Sequence, residues 1–431
     1  MNSKGIDFEK LLQENERLKK SVAELSMLNE FAQIISSTMA LEKILDKVVA
    51  ASLKASNAEQ GTIHLLQSIE SESPFRTLIR KADQSQFEDK YRLDMELSGW
   101  MIKHRKPLLI NDFSKDKTLG PDSSAQKIRS LLAVPLMCKG KLIGVVNLFN
   151  KKQPEGFTLD DQRLLSIIAS QSAQVIENAR LYEEEKQLRQ YEQDLEMARE
   201  IQNNLLPKES PRIPGFDVAG CSHAAREVGG DYFDFIELGD NRWNIALGDV
   251  SGKGIAAALL MSNLQATLRN QALTNLTLVD SISKTNRFLY LNTEANQFAT
   301  LFCSVLDATG KTFTYVNAGH NYPFLLNQKG EFKELQTGGL ILGLMPEFLF
   351  QEETVGLQPG EMVVIYSDGV TEAENEIEDQ FGEKRLQEII RQNKSLSSGQ
   401  LLSTICDAVA EFSGPKKQND DITLVIIKAL Q

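Results

Sequence analysis

Leu247-Gly-Asp-Val-Ser-Gly-Lys-Gly254 is an apolar run that breaks into glycines directly after an aspartate. Three other segments of the second half also set an aspartate beside glycines or an apolar run: Arg226-Glu-Val-Gly-Gly-Asp-Tyr-Phe-Asp234, Ile365-Tyr-Ser-Asp-Gly-Val-Thr-Glu372 and Asn419-Asp-Asp-Ile-Thr-Leu-Val425. Three of the four aspartates Asp231, Asp249, Asp368 and Asp420 abut an apolar run that reads as a strand, which places each at a strand end. Singly, each has a plain explanation. Asp368-Gly369 is a turn dipeptide, Asp249 before Gly252 and Gly254 a capping loop, Asp231 after two glycines a tight bend, and Asp420-Asp421 the start of a solvated strand. Four unrelated turns, however, do not each need an aspartate beside a buried strand. Like charges about 4 Å apart repel by about 4 kcal/mol at an effective dielectric of 20. Carboxylates that converge on one sheet edge therefore require cations between them. A donor set without His or Cys suits hard divalent ions, and two ions of the Mg²⁺ or Mn²⁺ kind are the simplest resolution.

The chain has 431 residues, 42% apolar and 25% charged, with a net charge of −12. That is the composition of a soluble globular protein, and the length of two or three domains. No run of Lys and Arg forms a stripe, which argues against nucleic acid or an anionic membrane surface as the main partner. No apolar stretch approaches the roughly 20 residues needed to cross a bilayer. The N-terminus is rich in Glu, Lys and Gln and carries no signal segment, so the expected location is the cytoplasm. Cys138, Cys221, Cys303 and Cys406 form no Cys-x-x-Cys pair, and the four histidines are equally scattered. Free thiols in a reducing compartment are expected, and nothing in the spacing supports a zinc site.

The expected architecture is α+β and multidomain. Residues 1–26 form an N-terminal helix, with Leu11, Leu18 and Leu25 at a seven-residue spacing. Residues 27–178 read as helix, several strands and helix, an α+β sensor domain. Its first helix places Leu41, Ile44, Leu45, Val48, Val49 and Leu53 on one face. The closing helix opens at a capping box of Thr158 and Asp161 and meets no Gly or Pro from Leu159 to Leu206. At 1.5 Å per residue it extends about 70 Å. Its linker portion, 179–207, carries two heptad series: Leu181, Leu188, Leu195 and Gln202, and Glu184, Tyr191, Ala198 and Leu205. A parallel homodimer is the natural way to bury such a seam; the alternative is one long helix packed on its own domain. Pro207, Pro211 and Pro214 end the helix and lead into a domain at 211–431 of alternating strands and helices.

Residues 216–431 resemble the metal-dependent serine/threonine protein phosphatases, in the bacterial SpoIIE-type branch that includes RsbU-like regulators. The motifs carrying the resemblance occur in order: Glu-Val-Gly-Gly-Asp-Tyr-Phe-Asp, Gly-Asp-Val-Ser-Gly-Lys-Gly, Asn317-Ala-Gly-His-Asn-Tyr-Pro323, Tyr-Ser-Asp-Gly-Val-Thr-Glu and Asn-Asp-Asp-Ile-Thr. Upstream, Ala198-Arg-Glu-Ile-Gln-Asn-Asn-Leu-Leu-Pro207 resembles the helix entering such domains. The resemblance implies an αββα β-sandwich with two Mn²⁺ or Mg²⁺ ions at one end. It implies that Asp249 bridges the ions, helped by the Val250 carbonyl, that Asp368 and Asp420 complete one, and that Asp231 holds the other. Asp421 stands where related enzymes often carry Asn, which leaves open which of Asp420 and Asp421 binds metal. A metal-bridged hydroxide then attacks phosphorus in line. Arg226, five residues before Asp231, is the candidate phosphate ligand, or else an exposed strand-edge arginine. His320 either donates a proton or shapes a turn. The implied substrate is a phosphorylated anti-anti-sigma (STAS) protein.

Residues 27–178 resemble a GAF domain through Gly99-Trp100, Pro107-Leu-Leu-Ile-Asn-Asp112, Ala133-Val-Pro-Leu136 and Gly144-Val-Val-Asn-Leu148. Asn150-Lys151, Phe157 and Asp161 are similar to the signature of cyclic-nucleotide GAF domains, which continues with Glu where this chain has Gln162. No cysteine suits bilin attachment and no haem ligand is evident, so the signal is an unidentified small molecule or protein. The expected function is a signal-regulated protein-serine/threonine phosphatase. Two rival readings are a nucleotide cyclase, with Gly229-Gly-Asp-Tyr-Phe233 as a degenerate GGDEF signature, and a non-catalytic ligand-gated scaffold.

Overall fold

The computed structural model describes residues 40–66, 75–81, 94–112, 128–274, 276–294 and 296–430, with isolated positions at 10–12, 14, 15, 22 and 118. The N-terminal helix expected over 1–26 lies outside the described residues except for those isolated positions. The chain divides into two compact units, Met1–Gln190 and Tyr191–Gln431. No helix among the described residues is long and apolar enough to cross a membrane.

The first unit contains α1 (Leu41–Ser56), β1 (Ala58–Leu66), β2 (Phe75–Lys81), α2 (Asp94–His104), β3 (Leu108–Ile110), β4 (Leu131–Cys138), β5 (Lys141–Lys151) and the start of α3 (Leu159–Leu205). Its strands form one antiparallel sheet in the order β2-β1-β5-β4-β3. β5 is apolar on both faces because each face is covered. Val146 and Leu148 pack under α1 and α3, while Val145 and Phe149 face the cluster that holds Leu97 and Met101 of α2. The stripe predicted on α1 is buried at all six positions, and α3 answers it with Leu165, Ile168, Ala169, Ala173 and Ile176 at helical spacing. The capping box forms: Thr158 Oγ1 accepts from the Asp161 backbone N–H, and Asp161 Oδ2 accepts from that of Thr158. Lys151 pairs with the same carboxylate. Lys151 and Asp161 of the cyclic-nucleotide-like signature thus brace the start of the helix.

The second unit is a sandwich. β6 (Phe216–His223), β7 (Tyr232–Gly239), β8 (Arg242–Val250), α4 (Ile255–Ala272) and α5 (Leu278–Asn292) come first. They are followed by β9 (Ala299–Asp307), β10 (Thr312–Ala318), β11 (Phe324–Leu326), β12 (Phe332–Glu334), β13 (Gly338–Gly339), β14 (Glu353–Gly356) and β15 (Met362–Tyr366). Then come α6 (Asp368–Thr371), α7 (Gly382–Gln392), α8 (Ser398–Ser413) and β16 (Ile422–Ala429). One sheet runs β13-β10-β9-β8-β7, with β14 also on β10; the other runs β12-β11-β15-β16-β6. The β9–β10 hairpin closes where Asp307 Oδ1 accepts from the backbone N–H groups of Thr309 and Gly310. Side-chain direction alternates with period two. Val363, Ile365, Val425 and Ile427 fill the space between the sheets with Ile245, Leu247 and Phe302. Their neighbours Val364, Tyr366, Leu424 and Ile426 pack under α7 and α8. Ala246 and Leu301 pack under α4 and α5. The central strands β8, β9, β15 and β16 are buried on both faces, which is why they read as unbroken apolar runs rather than alternating ones.

The end of α3 belongs to this unit. Gln202, read from the sequence as a seam residue, is buried instead: its Nε2 donates to the Gly229 carbonyl at 2.7 Å, and its Oε1 accepts from the Gly229 N–H at 3.0 Å. Leu181, Leu188 and Tyr191, earlier on the helix, remain exposed. Replacing Gln202 with Ala leaves both backbone groups of Gly229 unpaired, at a cost of about 1–3 kcal/mol. In hydrogen-exchange mass spectrometry, Gln202→Ala is expected to lose protection in the peptide spanning Gly229; unchanged protection there would show that the clamp does not matter.

Candidate metal centre

The pairing register brings the aspartates to one end of the sandwich. β7 begins directly after Asp231 and runs antiparallel to β8, with Tyr232 opposite Gly248, so Asp231 and Asp249 share an end of that sheet. In the other sheet β15 leaves at Tyr366 opposite Leu424 of β16, so Asp368 and Asp420 share an end as well. Ser367 locks this second pair: its N–H donates to the Thr423 carbonyl, its Oγ donates to the Asp421 carbonyl at 3.0 Å and accepts from the Thr423 N–H at 2.9 Å. Gly369 lies so close to Asp421 that a Cβ there would fall 2.1 Å from the Asp421 carbonyl oxygen.

Asp421 joins the two sheets. Its Oδ1 accepts from the Ala225 N–H at 2.7 Å, and its Oδ2 accepts from Gly230 at 2.6 Å and Asp231 at 3.2 Å. A side chain at Gly229 could not coexist with this carboxylate, since its Cβ would lie 2.3 Å from Oδ2. Asp231 is buried, and its Oδ2 has no hydrogen-bond partner among the described residues. The Val250 carbonyl oxygen lies 3.0 Å from where a Cβ on Gly230 would be, so it faces the Gly230–Asp231 bend. Asp420 is half-buried and accepts from Lys253 Nζ at 2.7 Å, which also donates to the Asn419 carbonyl at 2.6 Å.

These carboxylates disfavour one another. Burial, then the charge of Asp249, holds Asp231 well above the usual carboxylate range. Asp249 is pushed up to about 7 by burial, then by Asp368, Asp420 and Asp421, against the opposing pull of Lys253. Asp368 is raised by burial and then by Asp420 and Glu372. Acids whose proton affinity is raised by burial and by one another's charge are ones whose ionised form needs positive charge. The donors are carboxylate and carbonyl oxygens, the unpartnered Asp231 oxygen is buried, and a cavity of about 10 Å³ lies among Gly229, Gly230, Asp249, Asp420 and Asp421. That space is about one probe sphere, the size of an ion or a water. The residues therefore fit hard divalent cations. A wider cleft of about 550 Å³ opens alongside and shares Lys253 and Asp420 with the small cavity.

Arg226 is exposed and lines the small cavity. His320 is buried; its Nδ1 bonds the Thr300 hydroxyl at 2.8 Å, its N–H donates to Asn317, and burial lowers it to about 4. It is neutral at pH 7 and lines a different cavity, with Asn317 and Tyr322, so it shapes the turn. Lys253 and Gln202 stand within the sequence motifs, whose spacing assigns neither a role at the site. A lysine between two glycines one turn after Asp249 was the available signal for the first.

Comparison with known proteins places this geometry. Residues 239–430 match the family described as Stage II sporulation protein E (SpoIIE), and residues 38–177 match the GAF domain. Phosphoserine phosphatase RsbU of Bacillus subtilis is 31% identical over 253 residues, 57% of this chain and 74% of that protein. Protein IcfG of Synechocystis sp. is 31% identical over 261 residues, 54% of this chain but only 41% of its own length. The solved SiaA-PP2C domain of Pseudomonas aeruginosa shares the fold, with a TM-score of 0.51 at 20% identity, over 56% of this chain and 98% of that domain. The Gly229-Gly-Asp-Tyr-Phe233 segment thus forms the carboxylate end of a phosphatase-type sandwich rather than a cyclase signature. With a GAF domain ahead of a PP2C-type sandwich, the chain belongs to the RsbU-like, SpoIIE-type phosphatase family.

Proposed function

We propose that this chain is a signal-regulated, divalent-metal-dependent phosphatase acting on phosphoserine or phosphothreonine in a protein. The observation that carries the reading is the gathering of Asp231, Asp249, Asp368 and Asp420 at one end of two sheets, with a buried unpartnered oxygen among them. The likeness to a phosphoserine phosphatase, RsbU, supports the substrate class. In this reading Asp249 and the Val250 carbonyl serve two ions in common, Asp368 and Asp420 complete one set and Asp231 the other. Asp420 rather than Asp421 is the ligand. Asp421 already spends its oxygens on three backbone N–H groups, whereas Asp420 accepts one backbone N–H, that of Asp421, on Oδ1 and offers Oδ2 once Lys253 releases it. Mn²⁺ or Mg²⁺ held by these residues would supply Lewis acidity toward a water and the phosphoryl oxygens. Arg226, exposed at the rim, binds the phosphate.

The GAF domain takes the signal, a small molecule or a protein, and α3 transmits it through the Gln202 grip on Gly229, two residues from Asp231. Leu181, Leu188 and Tyr191 are exposed near heptad spacing, a face that a second copy would cover in a parallel homodimer. By the family resemblance the substrate is a phosphorylated anti-anti-sigma protein of the STAS type.

Mn²⁺-dependent phosphate release from a phosphoserine protein is expected from the full chain and is expected to fall to background in Asp249→Asn; retained activity in that variant would refute the assigned site. The adjacent acids separate the roles. Asp420→Asn is expected to abolish Mn²⁺ activation, while Asp421→Asn keeps it, reduced by about 10–100-fold as for a supporting residue. The opposite ranking would exchange their assignments.

A further inference from the structure

Cys221, His223 and Cys406, scattered in the sequence, meet in the fold. Cys221 and His223 are two residues apart on β6 and so project from the same face of the strand. Cys406 lies on α8, which packs against that face: Cys221 and Cys406 both border the cluster formed by Leu401, Ile405, Leu424 and Ile426. One ligand atom from each of the three residues lies within 4.8 Å of the other two. The two sulfurs are 3.8 Å apart.

We propose that these three side chains form a second metal site, for a borderline-soft divalent cation of the zinc kind, with water as the fourth ligand. The sulfur separation is the first reason. Two thiolates on a tetrahedral zinc, each about 2.3 Å from the metal, lie about 3.8 Å apart. The spacing already matches that edge, whereas a disulfide requires the sulfurs to close to about 2.05 Å. Access is the second reason. His223 and Cys406 line the cleft of about 550 Å³, so a position opposite the three protein ligands opens to solvent. Ligand softness is the third. Two sulfurs and an imidazole discriminate against Mg²⁺ and Mn²⁺, which the carboxylate end favours, so the two sites do not compete for one metal.

The protonation states agree with this geometry. The hydrogen bond from Cys221 pulls the Cys406 thiol down, against burial, and His223 adds to the pull. Binding then displaces the thiol protons and any proton on His223 to solvent, and two thiolates neutralise the dication. The site would tie α8 to the end of β6. His223 stands opposite Ile422 in the sheet register, next to Asp421, and the chain continues from it to Ala225, whose N–H donates to Asp421. A metal here therefore anchors the strand end from which the catalytic loop departs.

The test is a Co²⁺ titration of the full chain after chelator stripping under a phosphine reductant. The expected result is one equivalent bound with a thiolate-to-cobalt charge-transfer band and the visible bands of tetrahedral Co²⁺, displaced by Zn²⁺ and unaffected by excess Mg²⁺. Cys406→Ser is expected to abolish the charge-transfer band from this pair, and His223→Gln, at an exposed position, to weaken binding at least about tenfold. Asp249→Asn is expected to keep the band. Absence of a charge-transfer band in the reduced chain, or a band unchanged by both Cys406→Ser and His223→Gln, would overturn the proposal. So would a reduced chain that binds no Co²⁺ but forms a Cys221–Cys406 disulfide with peroxide, since the pair would then be a redox couple.

Discussion

Asp421 accepts three backbone N–H groups from the segment that leads into β7, and these bonds fasten the end of one sheet to the end of the other. The candidate centre depends on that fastening. Asp231 and Asp249 come from one sheet, and Asp368 and Asp420 from the other, so neither sheet alone assembles the set. Holding them together costs electrostatic energy, visible in the raised Asp231, Asp249 and Asp368. The backbone clasp, the Ser367 bridge and the absence of side chains at Gly229 and Gly369 hold the carboxylates against that repulsion. Under the proposed metal dependence, a cation would meet a site whose reorganisation has already been done by folding.

The same clasp links the centre to the helix that precedes it. Gly229 is gripped on one side by Gln202, and a side chain there would collide with Asp421 on the other. A small displacement of the end of α3 therefore bears on the backbone that positions Asp231. The proposed control of the site through the helix would run along this short route of two hydrogen bonds.

Much of this arrangement was legible in the sequence, for definite reasons. Period-two burial on both faces makes β15 and β16 read as apolar runs, and an aspartate at the end of such a run stands out. The run from Leu159 to Leu205, free of Gly and Pro, folds as one helix. What escaped is long-range. The bonds from Asp421 reach groups 190 and 191 residues away, and the Cys221–Cys406 contact spans 185. No local pattern encodes such pairs, so Asp421 looked like a rival ligand to Asp420 and the cysteines looked unrelated. Gln202 sat at a heptad position and was read for its spacing, while its amide serves the backbone of Gly229.

If the four aspartates share divalent cations while Asp421 remains structural, anomalous diffraction from crystals grown with Mn²⁺ will show two manganese peaks bounded by Asp231, Asp249, Asp368 and Asp420, with the Asp421 carboxylate still on the N–H groups of Ala225, Gly230 and Asp231. Manganese bound directly by Asp421, or no anomalous density among these carboxylates, would contradict that arrangement.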